Sequence, residues 1–213
     1  PLFIILGEIM LRSEVSKKIY VALSPLFQNV PGGLLHTNIA VCTLFGAVSG
    51  SSLSTAAAVG SVAYPEMTER GYDKKMVVGS LAGGGTLGLL IPPSLSLLIY
   101  GALTETSIGQ LFLAGIIPGI LFAIMFMIYI YFKCMRQPLL APTQESAFKL
   151  TDIIINILSI WPFLIVVFAI MGSITFGIAT PTEAAGVGVI ATIILGKLWG
   201  SLTLRKLVEA IYS

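Results

Sequence analysis

Ser49-Gly50-Ser51-Ser52, with Ser54 and Thr55 just behind, places small polar residues inside an otherwise apolar run. It offers the carbonyls of Ser49, Gly50 and Ser51 and the hydroxyls of Ser49, Ser51, Ser52, Ser54 and Thr55. A second run, Met76 to Tyr100, is apolar enough to cross a bilayer, yet it holds Gly83-Gly84-Gly85-Thr86-Leu87-Gly88 and then Pro92-Pro93. Interrupting a helix strips the carbonyls that end its first half and the amides that open its second of their intrahelical partners. In lipid each such group is costly when left dry. A bound ion supplies the missing partner. Carbonyl and hydroxyl oxygens suit a hard cation such as Na⁺, and amides at a half-helix N-terminus suit a carboxylate. The glycines let backbones approach closely, Thr86 adds a hydroxyl and the two prolines remove two donors. Together the two stretches read as a cradle for a cation and an anion.

The composition fixes the solvent in which this cradle sits. Of 213 residues 56% are hydrophobic and only 10% charged, with mean hydropathy +0.96, which excludes a soluble domain. The net charge of +2 and the short Lys/Arg clusters between apolar runs exclude a nucleic-acid partner; the partner is the lipid bilayer. Cys42 and Cys134 match no C-x-x-C spacing and read as packing residues, so neither a transition metal nor an organic cofactor is expected. The opening Pro1-Leu2-Phe3-Ile4-Ile5-Leu6 lacks the pattern of a signal peptide and reads as the interior of a longer protein.

The elements that must position the cradle follow from the charges. Residues 1–33 read as the end of a transmembrane helix plus a cytoplasmic amphipathic connection, with Arg12, Lys17, Lys18 and a Pro31-Gly32-Gly33 breaker. Residues 34–64 are too long for one span and too short for two. They read as a re-entrant hairpin turning at Ser49 to Ser52, because the positive-inside rule puts Lys17 and Lys18 on the same side as Arg70, Lys74 and Lys75. Residues 76–103 form a discontinuous transmembrane helix, 108–132 a transmembrane helix and 133–152 a cytoplasmic loop with Lys133, Arg136 and Lys149. Residues 153–172 cross again, 173–200 form a second re-entrant hairpin and 201–213 begin a further element. An outside-opening second hairpin conflicts with the rule, since Lys197, Arg205 and Lys206 would then face out.

Ser52 to Gly60 and Thr180 to Gly188 align without gaps, with identities at Ala56, Ala57, Val59 and Gly60 and two Ser/Thr exchanges. Two copies of a broken element approached from opposite sides are the mark of inverted-repeat secondary transporters. Small residues in membrane helices also serve close packing, but clustering at a tip with a second break downstream favours a site. His36 reads as a satisfied interfacial residue, Glu8 as the partner of Arg12 at helical spacing, and Trp161 and Trp199 as interface anchors. Glu183 stands alone in an uncharged stretch, where it is either functional or a cap for the helix after Thr180.

Four stretches together resemble the large membrane subunit of tripartite ATP-independent periplasmic (TRAP) transporters. They are residues 1–10, Ser49 to Ala57, Gly84-Gly85-Thr86-Leu87-Gly88-Leu89-Leu90-Ile91-Pro92-Pro93-Ser94, and Ala179-Thr180-Pro181-Thr182-Glu183-Ala184-Ala185. The resemblance runs in order along the whole chain, at about half the length expected of that subunit. It implies an all-α polytopic protein of the bacterial inner membrane: an elevator-type carrier coupled to Na⁺, importing organic acid anions such as C4-dicarboxylates or sialic acids. It also implies a small membrane subunit and a periplasmic substrate-binding protein as partners. Carried onto this chain, it gives Ser49, Gly50, Ser51, Ser52, Gly85, Thr86, Gly88 and Pro92 to the cation. Ser52, Ser54, Thr55, Pro93, Ser94, Thr180 and Thr182 go to the substrate, and Thr180, Pro181, Thr182 and Glu183 form the second hairpin tip.

Two other classes compete. An intramembrane serine hydrolase would pair Ser51 with His36, but ~13 residues of helix at ~1.5 Å each hold them about 20 Å apart, too far for a nucleophile and its base. A structural membrane subunit would tolerate loss of the tip hydroxyls; a carrier would not.

Overall fold

The prolines and glycines that interrupt the apolar runs set the helix boundaries. The computed structural model describes residues 2–13, 15–142, 156, 158–198 and 202–211, and among these there are helices and no strands. In chain order they are α1 (Leu2–Arg12), α2 (Val15–Phe27), α3 (Leu34–Ser49), α4 (Ser52–Glu69), α5 (Lys74–Thr86) and α6 (Leu95–Thr104), then α7 (Ile108–Arg136), α8 (Trp161–Thr175), α9 (Pro181–Leu198) and α10 (Leu204–Ile211). Three-residue 3-10 turns at Leu87–Leu89 and Pro138–Leu140 follow α5 and α7.

The core is built around α3, whose side chains are almost all buried between α1, α2, α4, α5 and α7. It and α4 form a hairpin whose open ends are tied together: the Leu34 N–H donates to the Tyr72 hydroxyl at 3.2 Å, satisfying one orphan amide of α3. The second arm runs to Glu69, five residues past the boundary expected at 64, because Pro65 removes one backbone bond without closing the helix. The turn at Gly71 (φ +80°) ends it. Asp73 then caps α5 by accepting the Met76 N–H at 2.9 Å.

Helix α7, 29 residues long, is the one described helix both long and apolar enough to cross a membrane. At ~1.5 Å per residue it is about 44 Å long, more than a bilayer's hydrocarbon core. Its outer face is apolar and exposed, with Ile117 at 76% and Tyr129 at 61%, the pattern of a helix that faces lipid or more protein. It carries Lys133 and Arg136 in its last turn, so the loop expected to start at 133 starts at Gln137 instead. Basic residues at this end favour the helix dipole and keep the final turn helical.

The second half corrects the expected layout. Residues 173–200 are not a hairpin in themselves: α8 packs beside α9, the turn between them is 176–180 with Gly177 at φ +67°, and α9 is unbroken for 18 residues. Gly188 marks a close crossing. A Cβ on Gly188 would sit 2.6 Å from both Leu6 Cδ1 and Ile170 Cδ1. The crossings pair Gly188 with Leu6 and Gly196 with Ser13, so α1 and α9 run side by side in the same direction. An ion pair between Arg12 and Glu209 at 2.9 Å brings α10 to the same end. Lys197, Arg205 and Lys206 therefore lie on the basic side with Arg12, and the charge conflict posed by an outside-opening hairpin disappears. Glu8 and Arg12 pair at 2.8 Å across one turn. Of the crossing expected at 153–172, residues 153–155 and 157 lie outside the described residues, as do Lys149 and Trp199; Trp161 stands exposed at the start of α8.

Candidate functional site

The tip of the first hairpin is one left-handed residue wide. Gly50 adopts φ +59°, ψ +10° and returns its N–H to the Gly46 carbonyl, closing α3. Ser51 is extended and caps α4, its hydroxyl accepting the Ser54 N–H at 3.4 Å. Behind the tip three oxygens converge. Ser49 Oγ lies 2.6 Å from Thr55 Oγ1, the Thr55 hydroxyl donates to the Ser51 carbonyl at 2.7 Å, and Ser49 Oγ is 3.3 Å from that carbonyl. Ser49 and Thr55 are buried, while Ser52 and Ser54 are partly open. Buried hydroxyls cost free energy unless paired, and this triangle pairs them with one another.

The interruption lies beyond the glycines. Gly83, Gly84 and Gly85 stay helical in α5, and regular structure stops only at 90–94, where Pro92 and Pro93 lack N–H groups and their peptide bond is cis. The glycines instead let α5 press against the hairpin. A Cβ on Gly88 would lie 3.0 Å from Thr55 Oγ1 and 3.3 Å from the Ser51 carbonyl; one on Gly85 would lie 2.9 Å from Ala56 Cβ. On the far side, Gly50 faces the Pro93 carbonyl and the Leu95 N–H. Ser94 does not cap α6: its hydroxyl donates to the Leu89 carbonyl at 2.6 Å, and the first amides of α6 have no side-chain cap. Tip and break thus meet directly, oxygens of the tip against Gly88 and an uncapped helix N-terminus against Gly50.

Other residues named from sequence fall elsewhere. The Thr86 side chain is exposed and its hydroxyl donates to the Gly83 carbonyl at 2.6 Å, within its own helix. Thr180 and Glu183 form a reciprocal cap at the start of α9: the Thr180 N–H donates to Glu183 Oε2 at 2.7 Å, and the Glu183 N–H faces Thr180 Oγ1 at 3.4 Å. Thr180 and Thr182 are exposed and Pro181 partly so. His36 sits at the other end of α3 from Ser51, 2.9 Å from the Pro31 carbonyl and stacked on Phe27, so it is no base for that serine. Two residues that position the tip escape sequence reading. A Cβ on Gly46 would meet Gly88 Cα at 2.7 Å, and one on Gly7 of α1 would meet the Ser49 carbonyl at 3.0 Å. Their only signal is being glycines inside apolar helices, which marks close packing without naming the partner.

Comparison with known proteins adds a family to this geometry. The sequence profile described as "Tripartite ATP-independent periplasmic transporter, DctM component" matches residues 1–213. The C4-dicarboxylate TRAP transporter large permease protein DctM of Pseudomonas aeruginosa is 37% identical over 190 residues, covering 89% of this chain and 44% of its own. The ectoine TRAP transporter large permease protein TeaC of Halomonas elongata is 37% identical over 196 residues (92% and 45%). The sialic acid TRAP transporter large permease protein SiaM of Vibrio cholerae is 34% identical over 214 residues (98% and 48%). These relatives are named as permeases, not enzymes, and the chain spans about half their length.

Proposed function

From the premise that the chain belongs to the DctM family of TRAP transporter components, we propose that it forms part of a permease that moves a carboxylate-bearing organic solute across the bacterial inner membrane, coupled to Na⁺. The observation that carries this reading is the triangle of Ser49 Oγ, Thr55 Oγ1 and the Ser51 carbonyl seated against Gly88. Three oxygens at 2.6–3.3 Å from one another form one face of a shell for a hard cation. A cation there would need the hydroxyl protons to turn aside and leave lone pairs inward, which both side chains allow. Ser52 from the tip, with Gly85 of α5, Gly88 of the 3-10 turn and Pro92 of the break, completes the proposed cation region, and the Thr86 carbonyl is the part of that residue left to contribute. The uncapped start of α6, after Pro93 and Ser94, together with Ser52 and Ser54 at the start of α4, offers amides and hydroxyls to the solute carboxylate, whereas the buried Thr55 hydroxyl is already given to the Ser51 carbonyl. Thr180 and Thr182 would approach it from the second turn.

The relatives' names span C4-dicarboxylates, ectoine, sialic acid and the sulfonate isethionate; a carboxylate-bearing solute is the class proposed here, with C4-dicarboxylates and sialic acids as the first candidates. A small membrane subunit and a periplasmic binding protein are the proposed partners, the second delivering the solute. The hairpin would be re-entrant and travel with α5 and α6 as the moving body of an elevator. The test is uptake by the full-length subunit with both partners in proteoliposomes. Uptake should require an inward Na⁺ gradient and fall with Ser49→Ala; uptake independent of Na⁺ would overturn the cation assignment.

A further inference from the structure

Away from the tip, α5 and α7 leave an apolar groove of about 540 Å³ between them. Met76, Gly79 and Gly83 line one wall, Phe122 and Phe126 the other, and Lys75 stands at one end. Ser80, the polar residue in the wall, is already engaged: its hydroxyl donates to the Val77 carbonyl at 2.8 Å and accepts from the Asn38 amide at 2.8 Å. Tyr129 borders this groove and also an adjoining recess lined by Lys133 and Arg136, so the apolar slot that ends at Lys75 opens beside two further cations. Lys74 adds a fourth beside Lys75, and none of the four makes an ion pair among the described residues. The nearby carboxylate, Asp73, caps the Met76 N–H. Both lysines lie in the first turn of α5, where the helix's own positive end disfavours cations.

We propose that this groove binds an anionic phospholipid of the cytoplasmic leaflet, an acyl chain lying along Gly79 and Gly83 and the phosphate held among Lys75, Lys133 and Arg136. The volume falls within the usual range of small-molecule sites, and the walls give a chain the apolar surroundings it has in the bilayer. A protein segment laid into the slot would cover the apolar walls but would answer these cations only if it carried carboxylates at that end. An anionic lipid answers both, and the basic loops place this end at the cytoplasmic surface, where anionic headgroups concentrate.

Native mass spectrometry of the full-length, delipidated subunit, titrated with phosphatidylglycerol or with phosphatidylcholine of the same chains, reads the site. Phosphatidylglycerol should bind more tightly. Lys75→Gln should weaken it about 5-fold, the scale of one lysine near an anionic headgroup. Gly79→Leu should abolish it, because an added Cβ there meets no atom within 4 Å, leaving the side chain room to enter the groove. Lys17→Gln, on an exposed face of α2, should leave binding unchanged. Equal binding of the two lipids, or phosphatidylglycerol binding that survives both Lys75→Gln and Gly79→Leu, would overturn the proposal.

Discussion

Gly46→Ala tests whether the hairpin tip and the broken helix must touch. The added Cβ would stand 2.7 Å from Gly88 Cα and 3.0 Å from its backbone nitrogen. Both obstacles are backbone, so no side chain can swing aside. Reaching the 3.4 Å of ordinary contact parts the two helices by about 0.7 Å at the point where Thr55 Oγ1 and the Ser51 carbonyl face Gly88. Overpacking of this kind costs about 1–3 kcal/mol. If the cost falls on the cation-bound arrangement, it weakens Na⁺ binding by about 5- to 150-fold. The assay is the Na⁺ concentration for half-maximal uptake by the full-length subunit with its partners, alongside the thermal midpoint of the purified subunit. The control is Gly60→Ala, where the new Cβ meets only Leu81 Cδ1 at 3.5 Å. Gly46→Ala with the Na⁺ dependence and thermal midpoint of the unsubstituted protein would refute the reasoning.

Thr55→Val leaves the buried Ser49 hydroxyl without its nearest partner, costing about 1–3 kcal/mol in thermal unfolding, and Thr55→Ser should restore most of it. Gly50→Ala imposes a left-handed conformation on a residue with a Cβ and should destabilise by about 1–2 kcal/mol by the same measurement. Glu183→Ala and Thr180→Ala each remove one half of the reciprocal cap, so their effects on the thermal midpoint should be clearly less than additive in the double variant. A membrane-impermeant maleimide should label Lys197→Cys only from the cytoplasmic face and Gln110→Cys only from the opposite one; both labelled from the same face would invalidate the topology.

Both breaks in the first half were legible because their residues announce themselves: hydroxyls and glycine at a turn, and two prolines that cannot donate. What the sequence left open was the partner of each glycine. Gly84 and Gly85 looked like an interruption but are helical residues that admit Cys42 and Ala56, and Gly188 looked like part of a second break but admits Leu6 and Ile170. A glycine that ends a helix and one that lets two helices touch are identical in one dimension, since the difference lies in neighbours distant along the chain. Thr86 shows the same limit at finer scale. Its exposure depends on how far α5 stays helical, and the run of glycines around it concealed that.

The contact between Arg12 and Glu209 also carries a timetable. The two residues are 197 positions apart, so at a synthesis rate of ~5–20 residues per second, α1 waits about 10–40 s for that partner to emerge from the ribosome. Throughout the interval Arg12 already has Glu8, one turn away on the same helix, to neutralise it. An arginine whose charge is answered within its own helix does not have to wait, unpaired, for a carboxylate made so much later.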